Sequence, residues 1–193
     1  EISKVKHHTA LAIDEVRPFM LRLHKAEGMG ARALELTILT AARSGETRGA
    51  AWSEIDLKAG TWIVPAERMK AKKEHRVPLS MQAVALLKEL PREDGVELVF
   101  PAPRGGQLSD MTLTAVLRRM QVDCTVHGFR STFRDWAGDR THHPRDMIEF
   151  ALAHALDDKT EAAYRRSDAL EKRRVLMQEW ADFVHETSQK VKD

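Results

Sequence analysis

Apolar positions recur at helical spacing along most of the chain and break into short alternating runs in one stretch only. Leu11, Val16, Phe19, Met20 and Leu23 mark a first helix, with Thr9 as its expected N-cap and Gly28 and Gly30 as its stop. Leu34, Ile38 and Leu39 share a face of a second helix over Ala31–Ala42, and Ser44 or Gly45 restarts a short one through Ala50. The texture then changes. Trp52–Leu57 and Thr61–Val64 are short and β-prone, with Lys58-Ala59-Gly60 between them reading as a tight turn. Arg76–Leu79 reads as a third strand ended by Pro78, so Trp52–Leu79 is expected to form one small antiparallel sheet. Helical spacing returns over Met81–Leu90 behind a Ser80 cap, from Ser109 to Met120, and over His127–Asp139. It continues from Pro144 to about Ala153, over a short piece at Thr160–Arg166, and over Ala169–His185 with Asp168 as cap. Glu97–Pro103 reads as extended and Arg104-Gly105-Gly106 as a loop. The expected fold class is α+β, mainly helical, with a three-stranded antiparallel sheet. Trp136, Phe150, Leu152 and Trp180 are expected to be structural.

Composition narrows the class without deciding the function. The chain has 193 residues, a length that fits one domain. No apolar run is long enough to cross a bilayer. The single cysteine, Cys124, can form neither an internal disulfide nor a cysteine-based metal cluster, and a reducing cytoplasmic setting is expected. A net charge of +2 does not by itself suggest nucleic acid. The charge is uneven, however: Lys70–Lys73, Arg118-Arg119, Arg165-Arg166 and Lys172–Arg174 are basic clusters. Each reads as a DNA-facing surface or as a solvated helix face, and composition alone favours the second.

The candidate chemistry is spread along the chain. Arg43 lies between two helical pieces with Glu46 one turn on, a spacing that suits either a surface ion pair or a guanidinium held for a phosphate. His127 and Arg130 are three apart on one helix face, pairing a proton-transfer group with a second phosphate-binding side chain. His154 closes Leu152-Ala153-His154, and ten residues on stands Tyr164, the only tyrosine. Singly, each of these is as well explained by ordinary packing or a solvated surface. The paired histidines His7-His8 and His142-His143 raise a metal site as a further reading, but neither pair has a carboxylate-rich neighbourhood.

Taken in order, Arg43, Lys70, His127, Arg130, His154 and Tyr164 resemble the site residues of the tyrosine recombinases, also called phage integrases. Leu-Ala-His and Ala-Ala-Tyr look most like integrases of prophages and genomic islands, and the resemblance runs from Leu36 to about Val184. It implies that residues 1–193 are a recombinase catalytic domain whose N-terminal DNA-binding domains lie elsewhere. It further implies a site-specific recombinase that integrates or excises a mobile element through a covalent 3′-phosphotyrosine, with Tyr164 as nucleophile. Arg43, Arg130 and His154 would hold the phosphate, His127 would accept the phenolic proton, and Lys70 would protonate the leaving 5′ oxygen. Lys70 fits the family position best and Lys72 is the runner-up. No metal and no cofactor is required. The partners implied are double-stranded DNA and three further copies of the chain on synapsed DNA, with DNA-bending or excision factors as accessories and a monomer when free. One departure is visible: the family usually has glycine where Ala153 precedes His154. The competing readings are relaxation of a single strand, as by a type IB topoisomerase, and a DNA-binding module without catalysis.

Overall fold

The computed structural model describes residues 9–154 and 169–185. Their order is α1 (Ile13–Lys25), α2 (Met29–Thr40), α3 (Ser44–Arg48), β1 (Ile55–Asp56), β2 (Thr61–Val64), β3 (His75–Pro78), α4 (Met81–Glu89), α5 (Thr112–Arg119), α6 (Gly128–Arg140), α7 (Arg145–Ala151) and α8 (Ala169–His185). The fold is therefore mainly helical with one three-stranded antiparallel sheet in the order β1-β2-β3, as the sequence pattern predicts. The predicted helix at Thr160–Arg166 and the Asp168 cap lie outside the described residues.

Helix α2 is the centre of the molecule. Ala31 and every residue from Ala33 to Thr40 are buried, and α1, α3, α4, α5 and α8 all pack on it. A helix so enclosed has no polar face to give to solvent, so its polar groups find partners inside. The Thr37 and Thr40 hydroxyls donate to the carbonyls of Ala33 and Leu36, each at 2.7 Å. On α1 the apolar stripe Val16, Phe19, Met20 and Leu23 is buried, while Asp14 and Glu15 open the helix and Arg22, His24 and Lys25 close it, matching its dipole. Phe133, Trp136, Trp180 and Phe183 form an aromatic cluster joining α6 to α8. The Trp180 indole donates to the Ile38 carbonyl at 2.8 Å, so α8 is fastened to α2 by a directed bond as well as by burial.

The sheet pairs Ile55 with Trp62, Trp62 with Val77, and Val64 with His75. Trp62 and Val64 point into the core and Ile63 out of it. The expected Lys58-Ala59-Gly60 turn is present. Asp56 accepts from the Lys58 and Ala59 amides at 2.9 and 2.8 Å, and Gly60 adopts φ +59°.

Several boundaries differ from expectation, and Gly30, read as a helix stop, lies inside α2. Trp52–Glu54 is a 3₁₀ turn, not strand; just before it Ala51 bridges to Leu98, with the Trp52 amide donating to the Glu97 carbonyl at 2.8 Å. Thr9 does not cap α1, which starts at Ile13 behind Ala12; its carbonyl instead accepts from the Thr125 amide at 3.0 Å. Helix α5 begins at Thr112 and not near Ser109.

Candidate functional site

Arg130 sits in the first turn of α6 and is 4 % exposed. An arginine that deep must have its hydrogens taken. One terminal nitrogen, Nη1, donates to the Ala41 carbonyl at 2.5 Å; the other, Nη2, donates to the Leu152 carbonyl at 2.5 Å and meets His154 Nε2 at 3.2 Å. One side chain thus ties the end of α2 to the end of α7. Both carbonyls are available because the helices stop there: Ala41 is left-handed at φ +51° and Leu152 caps α7. Arg130 Nε is buried and has no hydrogen-bond partner among the described residues. Burial, and then the charge of Arg43 beside it, push Arg130 down to about 10, so it remains a cation at neutral pH.

Arg43 caps α3 two residues beyond Ala41. Its Nη1 donates to Glu46 Oε1 at 2.9 Å, and the second Glu46 oxygen accepts the Arg43 amide, also at 2.9 Å. Glu46 is buried and the Arg43 side chain is 26 % exposed. The pair is therefore not a loose surface bridge: a buried carboxylate fixes the base of the guanidinium and leaves its far side open.

His154 follows a residue under backbone strain. Ala153 adopts φ +49°, a left-handed conformation that glycine reaches without steric cost. This strained turn directs the His154 ring back under α7. Its Nδ1 lies 2.5 Å from Glu149 Oε2 and its Nε2 faces Arg130. A carboxylate only accepts and a guanidinium only donates, so in the neutral ring Nδ1 carries the hydrogen and Nε2 accepts. Glu149 is held in turn by Arg134 at 2.7 Å.

Two more residues form the floor. His75, at the start of β3, is buried, bonds to the Ala151 backbone and packs edge-on against Phe150. Burial first, then the charges of Arg173, Arg130 and Arg43, lower it to about 3, so it is neutral at any working pH. Arg173 on α8 is 3 % exposed, donates to the Arg76 carbonyl at 2.7 Å and lies 4.5 Å over the Phe150 ring. The basic run Lys172–Arg174 is accordingly not one continuous face, although Lys172 itself is exposed. Its middle member is internal, and Arg174 pairs with Glu171 and the Gly60 carbonyl.

The structure thus brings Arg43, Arg130 and His154 into one cluster across 111 residues of sequence. His127 is the exposed N-cap of α6, one turn ahead of Arg130, whose amide bonds to the His127 carbonyl at 3.0 Å. Lys70 and Lys72 are exposed in the turn joining β2 to β3. Buried Met69 anchors the chain beside Lys70, and Lys72 is left-handed at φ +54°. Tyr164 lies outside the described residues, as do His7 and His8. His143 pairs with Glu179 at 2.8 Å. Among the described residues no group of three or more histidine, cysteine or carboxylate side chains is arranged to hold a metal ion, and no helix is long and apolar enough to cross a membrane.

Comparison with known proteins decides the family. The profile of the Phage integrase family matches residues 10–171. The chain belongs to the phage integrase family. It is 36 % identical over 204 aligned positions to the integrase of Enterobacteria phage P4, covering 94 % of this chain and 46 % of that protein. It is 37 % identical over 186 to the prophage integrase IntA of Escherichia coli (strain K12), covering 93 % and 45 %. The chain therefore spans about half the length of the curated relatives it matches. The fold agrees. XerA recombinase superimposes with a TM-score of 0.61 at 16 % identity, over 90 % of this chain and 65 % of that one. A lambda integrase tetramer bound to a Holliday junction superimposes at 0.60 and 21 %, over 82 % and 51 %.

Within this family member, Arg43, Arg130 and His154 were legible from the motif order. His75, Glu149 and Arg173 were not. His75 falls between the basic cluster Lys70–Lys73 and the strand expected from Arg76, and Arg173 is one of three consecutive cations. Glu149 stands five residues before His154, a spacing with no helical meaning once α7 ends between them. The one available signal was β pairing, which places His75 inward with Val77.

Proposed function

We propose that this chain is the catalytic domain of a site-specific tyrosine recombinase that cuts and rejoins double-stranded DNA to integrate or excise a mobile element. The observation that carries the reading is the meeting of Arg43 with the buried Arg130 and His154. Two guanidiniums pressed together repel, and such a pair is retained where an anion is to lie between them. A scissile phosphate is that anion. Attack builds charge on its non-bridging oxygens, and each donor already set for that charge is worth roughly 3–4 kcal/mol. Arg43 offers its open side, and Arg130 has two N–H groups left after its three protein partners, at Nε and Nη1. Guanidinium groups supply the positive charge here, so the reaction requires no metal.

In this reading Tyr164 is the nucleophile. Its oxygen forms a bond to phosphorus, the phenolic proton passes to His127, and the bond from phosphorus to the 5′ oxygen breaks. Lys70, exposed on the hairpin turn, delivers a proton to that oxygen. The product is a 3′-phosphotyrosine and a free 5′-hydroxyl, and attack by another 5′-hydroxyl reverses the step with a new partner. His154 supports the phosphate site through Nε2, which accepts from Arg130 and steadies that guanidinium. Synapsis of two duplexes uses four copies of the chain, a stoichiometry supported by the tetramer named for lambda integrase.

Partner exchange tests the reading. Two nicked duplexes carrying different labels are incubated with the protein. Recombination predicts a joined product bearing both labels. Relaxation of supercoiled plasmid without joined product would show topoisomerase-type rejoining instead. Binding without either would leave a module that does no chemistry.

A further inference from the structure

The carboxylate of Glu149 has no place in the reaction described above, yet it lies in direct contact with His154 at the phosphate cluster. It is largely buried, with 15 % of its side chain exposed, and one oxygen lies 2.5 Å from His154 Nδ1. Its other oxygen lies 2.7 Å from Arg134 Nη2. Arg134 is one turn beyond Arg130 on α6, so a single helix presents two arginines, one to each end of the same imidazole–carboxylate pair. The result is a closed chain of contacts: Arg134 to Glu149, Glu149 to His154, His154 to Arg130.

We propose that Glu149 is a positioning residue of the phosphate site: paired with Arg134, it fixes His154 with Nδ1–H donated, so that Nε2 accepts from Arg130 and holds that guanidinium for the phosphate. The inference rests on the assignment of Arg130 and His154 to that site. An imidazole has two nitrogens of nearly equal chemistry, and the partner of one decides what the other offers. Without a fixed acceptor at Nδ1, the ring is free to turn and to place its hydrogen on Nε2. That hydrogen would then point at the Arg130 guanidinium, donor against donor. Backbone strain at Ala153 adds to the need, because a left-handed turn aims the ring without holding its rotation.

The test reads His154 directly. Long-range proton–nitrogen NMR of the ring distinguishes the two neutral forms, and a His154→Gln sample assigns its signals. The wild-type chain is expected to show hydrogen on Nδ1. Glu149→Met, which keeps length and removes the acceptor, shifts the ring toward hydrogen on Nε2. Glu149→Gln restores the wild-type pattern, because the amide oxygen still accepts. A parallel titration with inorganic phosphate, followed at the Arg130 Nε signal, is expected to weaken about tenfold in Glu149→Met and to recover in Glu149→Gln. A wild-type ring with hydrogen on Nε2 overturns the proposal whatever the variants do. An unchanged ring in Glu149→Met overturns it equally. Phosphate that fails to bind the wild-type protein, beside the expected ring form, counts against the phosphate site itself and not against the positioning.

Discussion

Ala153 stands where the family usually has glycine, and its φ of +49° supplies the reason. A left-handed alanine costs about 1–2 kcal/mol, against which glycine loses about 0.4–1 kcal/mol through the greater freedom of the unfolded chain. Ala153→Gly is therefore expected to raise stability by up to about 1.6 kcal/mol, read as a higher urea midpoint with an unchanged slope. His75 makes the opposite kind of statement. Its folded-state value is near 3 against an ordinary 6.5, so below pH 6.5 the unfolded chain binds a proton that the folded chain refuses. Stability must fall as pH drops from 6.5 toward 3, by at most about 1.4 kcal/mol for each unit. His185 is lowered too, by burial, and contributes in the same direction. Urea midpoints between pH 7 and 4.5 should decline less steeply in His75→Gln than in the wild type; equal slopes would contradict the assignment. Neither property was legible beforehand. Backbone handedness at one alanine and the burial of one histidine are set by neighbours distant in sequence, whereas Arg43 and Arg130 stood out through the order of their motifs along the chain.

Elements followed the hydrophobic pattern where the pattern was long. The second, sixth and last described helices match their expected spans to within a few residues, since each carries several apolar turns. Short pieces were settled by single contacts. Trp52 looks like the first residue of a strand, but Arg92 lies 3.9 Å over its ring and Glu97 takes its amide. Those partners lie 40 and 45 residues away in sequence. The start of α6 shows how an element boundary can depend on one missing atom. A Cβ on Gly128 would come within 2.2 Å of the Thr9 carbonyl, backbone that has no flexible end to move. Gly128→Ala is expected to destabilise by about 1–3 kcal/mol through this overlap. It should also disturb the first turn of α6, which presents His127 and Arg130. Thermal melting measures the first effect, and chemical-shift changes confined to that turn would show the second.

At the scale of the molecule, the two guanidiniums of the cluster separate folding from chemistry. Arg43 leans outward from a buried Glu46, so Arg43→Lys, which keeps a cation beside that carboxylate, should lower stability by no more than about 1–2 kcal/mol while greatly slowing DNA cleavage. Arg130 joins α2 to α7, so Arg130→Ala leaves the Ala41 and Leu152 carbonyls without that donor. It should cost several kcal/mol, about 1–3 for each, in addition to activity. Equal losses of stability in the two variants would show that the cluster is structural scaffolding alone.

The central claim is that Tyr164 becomes covalently joined to DNA, and trapping that bond tests it most directly. The protein is incubated with a pool of short nicked duplexes of randomised sequence, in which the cut 5′ fragment diffuses away and religation fails. Adducts are resolved on a denaturing gel and mapped by mass spectrometry. The account predicts an adduct on the peptide that contains Tyr164, absent from Tyr164→Phe, which removes one oxygen and leaves no other tyrosine to substitute. An adduct formed at the wild-type rate by the phenylalanine variant, or one mapped to another residue, would contradict it.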